Sequence, residues 1–270
     1  MRAERSSSPA LRVVVPVLLL FAGCALFALL STRSPSRLIL ELSWSTPSSA
    51  YPLGNGDAGV DLLALVCHAT FRVLVLATGV AGFGFLLGAP LGAAAGLSGR
   101  SFERWTLRAC DFVQSFPTFL LALAVLSAVA VPSRWHIAFV FALTAWAPFA
   151  RIAAARARSL RSAQFVEAAR ALGLSRERTL TRHVLPNLLG PVAAQAGTSA
   201  AGVVLGETAL GFVGLGPPDG VSLGALLEQG TLSMLRAPHV LAVAIVAIAL
   251  VSGGLQLASE GLRRWVSGGS

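Results

Sequence analysis

The chain is 270 residues long, 55% hydrophobic with 27 glycines besides, 12% charged and of mean hydropathy +0.74. Its apolar share reaches about 65%, against roughly 45–50% in a soluble globular domain, which excludes a soluble enzyme. The formal net charge of +9 would elsewhere suggest nucleic acid, but a multi-spanning protein carries excess arginine to set its orientation, and no nucleic-acid partner is expected.

Apolar runs near twenty residues match the length of helix that crosses about 30 Å of hydrocarbon, and they predict an all-α integral membrane protein. Six spans qualify, at roughly 12–30, 73–97, 112–131, 135–155, 188–206 and 239–258. The first follows Arg2 and Arg5 and contains Phe21-Ala22-Gly23-Cys24, which looks like a lipoprotein cleavage site. Its apolar run continues through Leu30, however, which suits a spanning helix and not a cleaved leader. The stretch from Ser31 to His68 is rich in Ser, Pro and Gly and is expected to be looped, capping the outer face.

In the second span Gly88, Gly92 and Gly96 form a small-xxx-small ladder that lets a neighbouring backbone approach, with Pro90 a kink. Gly82-Phe83-Gly84 in the same helix is no nucleotide fingerprint, because no strand precedes it. Asp111 lies near the inner end of the third span; it either pairs with Arg108, one turn back, or takes a direct part in the transport pathway. Arg151 falls in the last turn of the fourth span. In the fifth, Gln195, Thr198 and Ser199 either face a pathway or hydrogen-bond a neighbouring helix, and Glu207, at its outer end, is a candidate for gating or lining the pathway. His136 and His239 sit at span boundaries and read as interfacial.

With both termini inside, sixteen arginines fall on inner segments and five on outer ones, the bias that the positive-inside rule requires. The cysteines, Cys24, Cys67 and Cys110, are scattered, without CxxC spacing, and give neither a disulfide framework nor a metal site. No Walker A, HExxH or GxSxG motif is present, and no carboxylate pair with a partner histidine, so no catalysis is expected of this chain.

Between the fourth and fifth spans, Arg151 to Asn187 is long and arginine-rich, yet built of helix formers. The segment from Phe165 to Leu172 predicts a short amphipathic helix ending at Gly173, a natural C′ residue of positive φ. Ser175 then caps a second helix with Glu177 in its first turn, and the chain re-enters the membrane after Leu185-Pro186. The expected product is a helix, a glycine turn and a helix, an elbow held against the membrane surface.

Glu167-Ala168-Ala169, with Gly173 four residues after Ala169 and Pro186 thirteen residues after Gly173, resembles the EAA loop of ATP-binding-cassette (ABC) importer permeases. His183 stands where the general pattern has an aliphatic residue, but Arg182 through Asn187 looks like the form common in the dipeptide and oligopeptide branch. Tyr51-Pro52-Leu53-Gly54 resembles that branch's HPLGTD segment, Gly88 through Gly92 its GxPLG, and Asp111 through Pro117 its D-x-x-x-x-FP stretch. Glu207 through Leu210, Gly214-Leu215-Gly216 and Pro217-Pro218 resemble its EAALSFLGLG-QPP segment. Two departures stand out: the family's GRD is Gly59-Val60-Asp61 here, and its PSWG is Val221-Ser222-Leu223-Gly224.

The resemblance implies a type I ABC importer transmembrane domain, with residues 51–264 as the permease core, 156–187 as a cytoplasmic coupling loop, 1–50 matched by hydropathy alone and 265–270 a tail. Glu167, Ala168, Ala169 and Gly173 would sit in a groove of an ATPase subunit, with Leu185 and Pro186 at the exit into the fifth helix. The implied partners are a second, homologous permease, two cytoplasmic ATPase subunits that bind ATP and Mg, an extracytoplasmic substrate-binding protein and the bilayer of a prokaryotic cytoplasmic membrane. The cargo it implies is a di- or oligopeptide, a nickel chelate or a related solute. A secondary transporter driven by an ion gradient is the rival; it should show broken helices and carboxylates near the bilayer midplane.

Overall fold

The computed structural model describes residues 9–267, so Arg2, Arg5 and positions 268–270 of the expected tail lie outside the described residues. Ten helices follow in order among them: α1 (Pro9–Leu30), α2 (Leu62–Leu97), α3 (Arg100–Ser115), α4 (Thr118–Ser127), α5 (Arg134–Leu160), α6 (Gln164–Ala171), α7 (Arg176–Thr179), α8 (Leu185–Phe212), α9 (Leu223–Leu232) and α10 (Pro238–Ser267). Four helical stretches, Leu62–Leu97, Arg134–Leu160, Leu180–Phe212 and Pro238–Gly261, are long and apolar enough to cross a membrane. The pair α3–α4, bent by 61°, makes a fifth crossing if taken as one span. The first expected span is the shorter apolar helix Val14–Leu30, so six is reached only if it too crosses.

The boundaries moved for identifiable reasons. The second helix begins at Leu62 and not near 73, because Asp61 caps it, accepting from the amides of Leu63 (2.9 Å) and Ala64 (3.4 Å). Leu62, Ala64, Leu65 and Ala69, expected to be looped or extramembrane, are buried. The third expected span is broken at Pro117, which offers no N–H, and Phe116 before it is extended (φ −94°, ψ 123°). Of residues 156–187, 156–160 belong to α5 and 185–187 to α8, with 161–184 between the two helices.

The seam between α2 and α5 holds the bundle together. Gly84, Gly88, Gly92 and Gly96 lie on one face of α2 against the backbone of Ala145, Trp146, Ala150 and Ala154 on α5, where any Cβ would collide with a carbonyl or its neighbours. Lipid tails are as apolar as the helix faces, so close van der Waals contact of this kind, and not apolar burial as such, drives helix association. Phe149 is fully buried on the α5 side, its ring edge-on to Phe85 at 6.4 Å. At the far side α1 lies on α10 across Gly254, which faces Val17 and Phe21.

Because Gly84, Gly88, Gly92 and Gly96 meet Ala145, Trp146, Ala150 and Ala154 in ascending order, α2 and α5 run in the same direction, and the bundle has two ends. One carries the segment 161–184 and is here termed the elbow end; the other is the cap end. There Ser31–Asp61 folds over the starts of α2, α9 and α10, with Trp44, Leu53 and Val60 packed on Leu62, Leu65, Leu226 and Val240. Asn55, wholly buried, donates to Gly59 O (2.9 Å) and accepts from Ser45 Oγ (2.9 Å), which fixes the loop from within.

Candidate functional site

The elbow starts where α5 ends at Leu160 and a tight turn reverses the chain into α6. Val166 is the anchor: it is wholly buried among Ala157, Val184, Leu188 and Val192, residues of α5, of the turn before α8 and of α8 itself. Its neighbours Phe165, Glu167 and Ala168 are exposed, as are Leu172 and Gly173. One face of α6 is therefore fastened to the bundle and the other stands open with a carboxylate, a slim alanine surface and an apolar leucine. Gly173 has φ +79° and nothing within 4 Å of where a Cβ would lie, so its glycine is required by backbone conformation and not by space.

Ser175 caps the second arm as expected, its Oγ accepting from Arg178 N–H (3.2 Å) while its carbonyl accepts from Thr179 N–H (2.9 Å) and Thr179 Oγ1 (3.0 Å). The second arm does not end before the fifth expected span. Instead α7 passes through a wide turn, Leu180–Val184, in which Leu185 N–H donates to Leu180 O five residues back, and continues directly into α8. Such π-type turns accommodate a proline that has no N–H to offer, and recur at functional positions. Asn187 Nδ2 donates to the backbone carbonyl of His183 (2.6 Å), so the Asn187 side chain secures this turn. Leu185 and Pro186 face Pro90 and Phe85 of α2 across an apolar groove of about 280 Å³.

The other sequence candidates are dispersed. Asp111, exposed on α3, pairs with Arg151 of α5 at 2.6 Å and not with Arg108, which lies over the Trp105 ring at 5.5 Å. Gln195 is half-buried, and Thr198 is exposed with its hydroxyl 3.3 Å from Ala194 O of its own helix. Glu207 is buried near the cap end of α8, and its Oε2 has no hydrogen-bond partner, nor has the buried Thr208 Oγ1 beside it. His136 completes a capping box with Ser133 at the start of α5, and His239 Nε2 lies 3.3 Å from Asn55 O under the cap.

Residues 88–265, which include the whole elbow, match the family described as the binding-protein-dependent transport system inner membrane component. The chain belongs to that family. A protein of Brucella suis named as a peptide transport system permease is 31% identical over 254 residues, 93% of this chain and 84% of its own length. The oligopeptide transport system permease protein OppC of Mycobacterium tuberculosis is 30% identical over 252 residues, covering 92% of this chain and 86% of its own. The fold is shared with a chain of the MetNI methionine ABC transporter in an inward-facing conformation, at TM-score 0.60 and 17% identity, over 75% of this chain and 96% of that one. The protein is thus a non-catalytic permease subunit of an ABC importer, embedded in the membrane by multiple helices.

At its cap end the permease has a polar cluster that sequence reasoning missed. Asp219, in the loop before α9, binds Arg72 of α2 at 2.6 Å and Arg134 of α5 at 3.0 Å. Partial burial pushes the Asp219 carboxyl up, but the Val221 amide and the two guanidinium groups together outweigh it and hold the carboxyl below its usual range. The three residues rim an open groove of about 1000 Å³ whose walls are apolar faces of α2 and α5. In sequence Arg72 and Arg134 read only as topology charges, and Asp219 follows Pro217-Pro218 with no local signal of a partner. Asp61 of the departed GRD motif is held by Arg33 at 3.0 Å, so a cation from the cap stands beside this carboxylate.

Proposed function

We propose that this permease forms part of the path of an ATP-driven importer of peptides and that its elbow receives the ATPase stroke. The observation that carries the reading is the two-sided build of α6: Val166 is locked into the helix bundle while Glu167, Ala168 and Gly173 stand free on the outside. An ATPase subunit grasping that free face would move α6, and its packing on the wide turn Leu180–Val184, in one apolar cluster with Leu188 and Val192, would pass the displacement to α8 as a rigid body. Because α7 runs into α8 without a break, the push reaches the cap end, where Glu207 lies. Leu185 and Pro186, opposed to Pro90, form the bearing on which α8 turns against α2.

In this reading the elbow end is cytoplasmic, with both termini inside, supported by the sixteen-to-five distribution of arginine. ATP and its magnesium belong to two separate ATPase subunits, a homologous permease completes the pathway, and an extracytoplasmic binding protein delivers cargo to the cap end. The names of the Brucella and Mycobacterium relatives support peptides as cargo. Glu207, whose buried oxygen lacks a partner, Gln195 and Thr198 are the residues of α8 offered to the path or its gate, while Asp111 serves the α3–α5 seam.

The test is co-purification with the ATPase subunits of the same transport system, comparing the natural chain with Glu167→Arg combined with Gly173→Leu. ATPases retained by the natural chain and lost from the double variant, with ATP hydrolysis falling to that of the isolated subunits, is the expected result. Retention by both, or by neither, would show that the elbow only sets topology.

A further inference from the structure

The three cysteines are free thiols, and nothing in their spacing pairs them, yet the fold brings two of them together. Cys24 lies on α1 and Cys67 on α2, and the Cys67 thiol donates to the Cys24 sulfur. The register of the two helices accounts for this contact. Arg33, just past the end of α1, pairs with Asp61, the cap of α2, at 3.0 Å, so the two helix ends stand side by side under the cap. From there α1 and α2 run antiparallel and in contact. Cys24 is six residues below Leu30 and Cys67 five below Leu62. At ~1.5 Å per residue these are depths of about 9 Å and about 7.5 Å, which put both sulfurs at one level. Cys67 is 5% exposed, whereas Cys24 is only partly covered. An oxidant arriving at the surface of α1 therefore meets the Cys24 sulfur first, with a second thiol already in contact behind it. Cys110 is buried on α3 against Ala147 and Ala150 of α5, with no thiol beside it among the described residues.

We propose that Cys24 and Cys67 are a redox-active dithiol that closes into a disulfide and staples α1 to the start of α2. The oxidant is itself a disulfide compound. The Cys24 thiol gives up its proton and, as thiolate, attacks one sulfur of that compound, breaking its S–S bond and releasing one thiolate. Cys67 in turn loses its proton and attacks the Cys24 sulfur of the mixed disulfide, which expels the second thiolate. The two protons end on the two released thiolates, so the oxidant leaves as two thiols and two electrons have passed to it from the cysteines. Thiols in hydrogen-bond contact need only a small approach to reach bonding distance. The new bond closes a loop that contains the whole cap segment Ser31–Asp61, and closing a long loop stabilises a fold by narrowing the unfolded ensemble. Both cysteines precede the family-matched residues 88–265, and the inference holds whichever solute is carried.

The test uses the full chain, in nanodiscs with its partner subunits, and dithiodipyridine, an uncharged aromatic disulfide that enters the edge of a bilayer. After reaction the chain is denatured in acid and its cysteine peptides are identified by mass. The natural chain should yield a peptide pair joining Cys24 to Cys67, with no pyridylthio group on either. Cys67→Ser should keep one pyridylthio group on Cys24, because the resolving thiol is gone. In Cys24→Ser, Cys67 should react at least about tenfold more slowly than Cys24 does, being buried. Trypsin cutting at Arg33 or Arg37, both exposed in the cap, should leave α1 joined to α2 in the oxidised chain until a reductant is added. A pyridylthio group persisting on Cys24 beside a free Cys67 thiol in the natural chain overturns the proposal. So does a Cys24 that does not react, a link from either cysteine to Cys110, or a Cys67 that reacts as fast as Cys24 in the Cys24→Ser chain.

Discussion

At the cap end the carboxylates and guanidinium groups of different elements meet: Asp61 holds Arg33, and Asp219 holds both Arg72 and Arg134. At the elbow end Arg100, Arg104 and Arg108 have no acidic partner among the described residues, and Leu172 stands 79% exposed beside the free face of α6. The cap end is closed on itself by loops that pack on three helix starts. The elbow end is fastened only on its inner side, through Val166, and offers charge and apolar surface outward. The charged pairs of the cap end fix its loops, although Glu207 Oε2 nearby has no partner, whereas the outer face of α6 meets nothing within the described residues. In the reading above, the ATPase covers that face.

The sharpest way to break this contrast is Val166→Asp, which would bury an unpaired carboxylate and cost several kcal/mol locally. Trypsin cleavage between Arg161 and Arg178 should accelerate at least about tenfold as the anchor is lost, with the cap end unchanged. Unaltered cleavage would mean that α6 is not docked as described. Next comes Asp61→Ala, which removes the cap of α2 and the Arg33 pair together. A loss of about 1–2 kcal/mol, read as a fall of a few degrees in Tm, is expected, and an unchanged Tm would deny the cap end its self-contained character.

Asp219→Asn should cost less, from a few tenths to about 1 kcal/mol, because the pair is partly exposed and screened. Its sign with pH is definite. The Asp219 carboxyl titrates below its ordinary value in the folded chain, so its stabilisation is full above about pH 4 and fades as acid protonates the folded form. Thermal unfolding from pH 6 downward should therefore show natural chain and variant converging in acid; a constant gap would mean that the carboxylate charge contributes nothing. Gly173 stands level with Asp61 and acts through the backbone alone. Alanine there should cost about 1–2 kcal/mol through positive φ alone, and asparagine less, with no steric penalty because the site is open. Trypsin sensitivity of the elbow should rank glycine, asparagine, alanine in increasing order, and equal sensitivity would remove the backbone argument.

How much was legible beforehand follows from range. The apolar runs located the long helices because hydropathy is a property of adjacent residues, and the glycine ladder of α2 announced a close seam because every fourth residue shares a face. The Glu167 to Gly173 to Pro186 spacing marked the elbow for the same reason. Sequence did not show that α7 continues into α8, since only the wide Leu180–Val184 turn carries the helix past Pro186, which has no N–H to offer. Nor did it anticipate α9, a ten-residue helix started by Ser222.

What the sequence determined by itself, then, was membrane residence, a helical build, a two-armed elbow and the glycine face of α2, all set by composition and by periodicities within a single segment. What tertiary structure decided was who meets whom: Asp111 with Arg151 in place of Arg108, Asp219 with two arginines from separate helices, Glu207 buried without a partner on its second oxygen, and three arginines of α3 left over. The physical reason is that a charge one turn away is a neighbour in any helix, but the partner it takes depends on which helix packs alongside. That choice was made by the small residues of the seams, far in sequence from the charges they bring together.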